Sequence, residues 1–145
     1  MRSIEVKEPR SHFLVFDQGD ELMDTLRRFA GSHRIRGARF SAIGAFEKAT
    51  IAYWNWSTKQ YEKHQIDEQR EVASLTGDIA MEGGAIRIHA HVVLGRSDLG
   101  ALAGHVIRAV IRPTLEMQLI DYGMTLERAR REEINLSPIV LQDVP

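Results

Sequence analysis

The 145-residue sequence has no cysteine, which excludes a disulfide framework and any thiolate metal site. It has only four prolines and no low-complexity tract, and with 43% hydrophobic and 27% charged residues its composition is that of a folded globular chain. Net charge is nearly absent as well: the formal value of −1 provides no overall attraction to nucleic acid, whose binding rests largely on basic groups neutralising phosphates. No apolar run approaches the length of a membrane span, and the N-terminal MRSIEVKEPRSH has no apolar signal core. A cytoplasmic protein with no membrane partner is the expectation. So is a single domain over 1–145, large enough to bury about two-thirds of the surface of its unfolded chain.

What is present is mostly β pattern. His12 to Phe16 is a short apolar run, with a weaker alternation from Ser3 to Lys7 before it. Leu22, Met23, Leu26, Phe29 and Ala30 form one helical stripe, with Asp20 as the expected N-cap and Gly31 or Gly37 as the end. From Arg39 to Ser57 the β-branched and aromatic residues predict two strands joined at Gly44 by a bulge or bend, with Trp54 and Trp56 on one face as core or subunit interface. Gln60 to Asp67 reads as a polar strand in which His64 is a surface residue. Glu71 to Met81 is the next strand, and Glu82-Gly83-Gly84 turns it into a hairpin. A further strand follows Pro113. LERARREE, from Leu126 to Glu133, predicts a short charged helix, and Pro138 to Leu141 a last short strand. The sum is an α+β fold: a mostly antiparallel sandwich with one long and one short helix. Nucleotide-binding glycine motifs and a GxSxG nucleophile elbow are missing.

The most informative stretch is IRIHAHVVLGRSDLGALAGHVIRAVIRP, from Ile86 to Pro113, which reads as two strands and a turn. It holds three of the six histidines. His89 and His91 are two apart on a strand, so they project from one face with Cα atoms roughly 6.5 to 7 Å apart. If Arg96 to Gly100 forms a hairpin bend centred on Asp98, His105 falls directly opposite His91 on the same face, about 5 Å away between Cβ atoms. A bulge at Gly100 or Gly104 would instead turn His105 away. Three convergent neutral imidazoles suit a borderline divalent metal, zinc first, at about 2.0 to 2.1 Å per nitrogen. They leave a fourth position for water, made more acidic there, or for a small anion. The alternative is that the histidines pack or hydrogen-bond without an ion. Metal-bound histidines usually lean on a nearby carboxylate, and Glu116 and Glu71 are the candidates for that role or for a base.

A second cluster, Arg27, Arg28, Arg34, Arg36 and Arg39, contains no acid between its ends. Arg34, Arg36 and Arg39 could form an anion or nucleic-acid patch if they are contiguous in space; otherwise they are a solvated helix end and strand start.

Taken together, FSAIGAFEKATIAYW, EVASLTGDIA, IRIHAHVVLGRSDLGALAGHV and TLEMQLID make the chain resemble the plants-and-prokaryotes-conserved (PPC) domain family. The resemblance implies an antiparallel α/β fold assembled as a homotrimer, of the stand-alone prokaryotic kind. It also implies a histidine triad, at His89, His91 and His105 here, able to hold a metal such as zinc in a regulatory, structural or catalytic role. No particular reaction comes with it. Plant members are nuclear and bind AT-rich DNA through a separate AT-hook. This sequence lacks the Arg-Gly-Arg-Pro of such a hook, and a DNA-binding or DNA-associated regulator is the second expectation.

Overall fold

In the computed structural model, which describes residues 5–141, the chain forms strands β1 (Arg10–Phe16), β2 (Ala38–Asn55), β3 (Gln60–Ile66), β4 (Arg70–Glu82), β5 (Ala85–Gly95), β6 (Ala101–Asp121), β7 (Glu127–Arg128) and β8 (Ile139–Val140). Among the described residues there is one helix, α1 (Leu22–Ser32). It buries Leu22, Met23, Leu26 and Ala30, as its stripe predicts. Its N-cap is Glu21 rather than Asp20. The Glu21 carboxylate accepts from the Asp24 amide at 2.8 Å and from the Ala109 amide of β6 at 3.1 Å, fastening the helix start to the sheet. The shorter Asp20 side chain closes the preceding turn on the Asp17 amide.

The strands pair in the order β3-β2-β6-β5-β4-β7-β8, with β1 on β6 and an added β2–β4 pairing. The two long strands explain this. β2 has β6 along one edge and takes both β3 and β4 along the other; β6 likewise takes β5 near its start and β1 near its end. Strands β2, β6, β5 and β4 therefore close a circuit of hydrogen-bonded neighbours. This corrects the expected sandwich: there is a single mixed sheet, antiparallel except where β7 runs parallel to β4. One buried cluster fills it, including Leu26, Phe46, Leu75, Ile79, Leu94, Ile111, Leu115, Met117 and Leu119.

The bulge expected at Gly44 is present but does not end the strand, and the strand expected to begin after Pro113 starts well before it. β2 passes through Gly44, where the register shifts against both β4 and β6. There φ is +149°, and a Cβ would lie 2.3 Å from the Thr114 carbonyl oxygen, so only glycine lets the backbones approach so closely. Opposite it, β6 runs on through Pro113 as one strand, with the proline inside the register shift between Ile111 and Leu115, where its missing amide is not needed. The short helix expected over Leu126–Glu133 is not formed. The backbone of Glu127 and Arg128 pairs with β4 and β8 instead. Trp54 packs edge-on against Tyr61 at 4.9 Å, whereas Trp56 lies beyond the strand and is 66% exposed. The alternation predicted from Ser3 onward falls partly outside the described residues, and residues 5–7 are not strand.

Candidate metal centre

Two tight turns set the geometry of the histidines. Between β4 and β5, Gly83 and Gly84 both have positive φ, +56° and +82°, the conformation of a two-residue hairpin turn that a side chain would strain. The turn puts Thr76 opposite His91 and Asp78 opposite His89. Between β5 and β6, the Arg96 amide donates to the Gly100 carbonyl at 2.8 Å and the Asp98 carboxylate accepts from the Gly100 amide at 2.9 Å. From this turn the ladder runs without a shift from Gly95↔Ala101 to His91↔His105, so neither Gly100 nor Gly104 introduces a bulge.

All three imidazoles emerge on the outer face of the sheet, with His91 exposed and the other two half-buried. Ring centroids are 5.1 Å apart for His89–His91 and for His89–His105, and 5.5 Å for His91–His105. One ring nitrogen from each lies within 4.8 Å of the other two. Tetrahedral zinc with bonds of about 2.05 Å places its nitrogens about 3.3 Å apart, so the widest pair needs to close by at most about 1.5 Å, within reach of modest ring rotation. Tyr61 stacks on His105 at 4.7 Å and fixes that ring from the other side.

The electrostatics suit a cation. Burial, then the neighbouring His89 and His91 and finally Arg128, push the pKa of His105 down to about 4. Burial, then His89, lowers that of His91. Both rings are therefore neutral near pH 7, with a lone pair available for a ligand bond. The buried Nδ1 of His105 has no hydrogen-bond partner among the described residues, which costs about 1–3 kcal/mol unless something meets it. Neutral nitrogen donors and an orphaned ring atom together fit a divalent metal.

The carboxylate beside the cluster is Asp78, not Glu116 or Glu71. Asp78 Oδ2 stands 3.6 Å from His89 Nδ1, somewhat longer than a hydrogen bond, and its Oδ1 accepts from Arg128 at 2.7 Å. Burial opposes the Asp78 charge, yet interactions with His89 and Arg128 outweigh it and hold its pKa below the usual carboxylate value. Glu116 lies far along β6 from His105, paired with Val15 and Ile43, and lines a separate cleft together with Glu71. Sequence reasoning had a signal for Asp78: reflection through the Gly83-Gly84 turn pairs it with His89 just as reflection through Asp98 pairs His91 with His105. A cleft of about 410 Å³ adjoins the cluster, lined by Tyr61, Glu82, Arg87, His89, His105 and Arg128 among others.

The arginine run is less coherent. Arg34, Arg36 and Arg39 are all exposed. Arg27, however, is paired with Asp24 and Arg28 donates to Thr25, so the run is not one free patch.

Several solved structures share this architecture. A metal-containing protein of Archaeoglobus fulgidus is 29% identical, with a TM-score of 0.90, over 97% of this chain and 100% of its own. A protein of Bacteroides thetaiotaomicron, provisionally described as DNA-binding, is 27% identical with a TM-score of 0.86, over 96% of this chain and 94% of its own. A plant- and prokaryote-conserved protein of Pyrococcus horikoshii, 24% identical over 93% of this chain and 94% of its own, has the same fold at a TM-score of 0.85. No curated protein matches significantly. The model of the Plants and Prokaryotes Conserved (PCC) domain matches residues 3–122. By that match the chain belongs to the Plants and Prokaryotes Conserved domain family.

Proposed function

We propose that this chain is a metal-binding member of its family, with His89, His91 and His105 as ligands of one divalent ion, zinc before others. The observation that carries this reading is the meeting of three ring nitrogens from two strands within 4.8 Å. The A. fulgidus relative, described as metal-containing, supports it. Such an ion would supply Lewis acidity at a fourth position open to water or a small anion. The chain's own residues hold His91 and His105 neutral, orient His89 through Asp78 and border that position with the adjoining cleft. No reaction is assigned; a regulatory or structural role is favoured over a catalytic one.

We also propose a homotrimer. Phe13, Val15, Ile43, Tyr53 and Trp56 are each more than 60% exposed, and closed symmetric assembly is the usual way of covering such surface. Elemental analysis of tag-free protein, with molecular mass in solution, tests both. About one zinc per chain in the wild type and none in His89→Ala is expected; retained metal in that variant refutes the ligand assignment.

A second reading, a DNA-associated regulator, is favoured by the exposure of Arg34, Arg36 and Arg39 and by relatives provisionally described as DNA-binding. It predicts binding that weakens steeply with salt and is lost when these three arginines become alanine. A gel shift indifferent to both overturns it.

A further inference from the structure

We infer that the segment 123–141, which lies beyond the family match, is a strap that holds the histidine cluster in its binding geometry, with Arg128 as its positioning residue. This rests on the metal reading above.

The strap is fastened at both ends of the histidine face. At one end the Met81 amide donates to the Leu126 carbonyl at 2.8 Å and the Leu126 amide to the Arg36 carbonyl at 3.1 Å, which lays β7 along β4. At the other, Lys59 donates to the Glu133 carbonyl and the Asn135 side-chain amide donates to the Lys59 carbonyl at 2.7 Å, in the turn that leads into β3 and Tyr61. Arg128 from between these anchors, and Leu136, Ser137 and Pro138 from just after the second, line the cleft. Glu82, which also lines the cleft, accepts from Arg87 Nε at 2.8 Å, and the nearby Ser137 side chain, Arg87 and Arg128 lower its pKa from the usual carboxylate value.

Arg128 joins the strap to the ligands. Its side chain is only 11% exposed, and its two terminal nitrogens point two ways: one donates to the Ser137 carbonyl at 2.8 Å within the strap, the other to Asp78 Oδ1 at 2.7 Å on β4. With one oxygen held by a guanidinium that is itself anchored to the Ser137 carbonyl, the other oxygen of Asp78 faces His89 Nδ1. A carboxylate poised there, once it closes from 3.6 Å to hydrogen-bond distance as the ion binds, favours the tautomer with the proton on Nδ1 and leaves the Nε2 lone pair for the ion. Without Arg128 the carboxylate is free to rotate, and the choice of tautomer at His89 is lost. Lysine could restore the charge but not the two-way fork.

The test is zinc affinity by chelator competition in the full chain, with the visible spectrum of the cobalt(II) form as a readout of ligand geometry. Arg128→Ala and Asp78→Asn should each weaken zinc by roughly 10–100-fold and alter the cobalt band. Their double variant should fall no further than the worse single one, because both break the same link. Arg128→Lys should recover only part of the affinity. Leu75→Ala, a core change on a buried neighbouring position, controls for general loosening and should stay within about twofold of the wild type in affinity for the folded protein. If the wild type takes up zinc while Arg128→Ala and Asp78→Asn bind within about twofold of it, or lose affinity additively, the strap inference is overturned and the metal reading stands. If the wild type takes up no zinc or cobalt, both fall.

Discussion

Acidification should destabilise the metal-free protein through His105, by an amount that a single substitution can isolate. The folded pKa of about 4 lies below the ordinary 6.5, so as pH falls the unfolded chain binds this proton first. The neutral ring's contribution is therefore fully present above pH 6.5 and disappears as pH falls through 4. At 1.36 kcal/mol per unit the whole shift corresponds to about 3.4 kcal/mol; the ring is only partly buried, and solvent screening reduces the expected loss to about 2 kcal/mol. Urea unfolding of chelator-treated protein at pH 7 and pH 4 measures it, with His105→Gln as the comparison because its side chain does not titrate. The wild type should lose about 2 kcal/mol more than the variant over this interval, roughly 1 M in urea midpoint. Equal losses in the two proteins would show that His105 is not held neutral by its surroundings. Saturating zinc should protect the wild type near neutrality and lose its effect in acid, since ligand bonds and protons compete for the same lone pairs.

Three structural substitutions probe the frame around the site. Leu75→Ala removes a fully buried side chain and should cost about 2–5 kcal/mol in urea unfolding. Gly77→Ala should be severe, because the new Cβ would sit 2.3 Å from the His89 carbonyl oxygen and 2.4 Å from the Phe40 ring; thermal melting should fall by several degrees and zinc affinity with it. Glu21→Ala should destabilise by about 1 kcal/mol or more, because it frees both the helix start and the Ala109 amide, whereas Asp20→Ala should do less.

The strands and the histidine pairing were legible because they are local. Alternation marks a strand, and a tight turn fixes its partner, so reflection through Asp98 suffices to set His91 against His105. The same rule reaches Asp78 through Gly83 and Gly84, because Asp78 is the mirror position of His89 about that turn. Closure of the sheet was not legible. Pairing between β2 and β4 joins residues far apart in sequence, and nothing in the local pattern tells one face of a sandwich from one wall of a closed circuit. Residues Leu126 to Glu133 misled for a related reason. Their mixed charges suit a solvated helix, but Arg128 has a distant carboxylate partner and the backbone follows it.

Strand β5 is hydrogen-bonded on both sides from His91 to Gly95, to β4 on one flank and to β6 on the other. A slip of one residue would have to break two ladders at once and would turn the imidazoles inward among leucine and valine. The positions of the three histidines are thus inherited from the main chain and do not depend on any ion. Ions should be exchangeable at this face, one for another or for none, while the molecule around it keeps its shape.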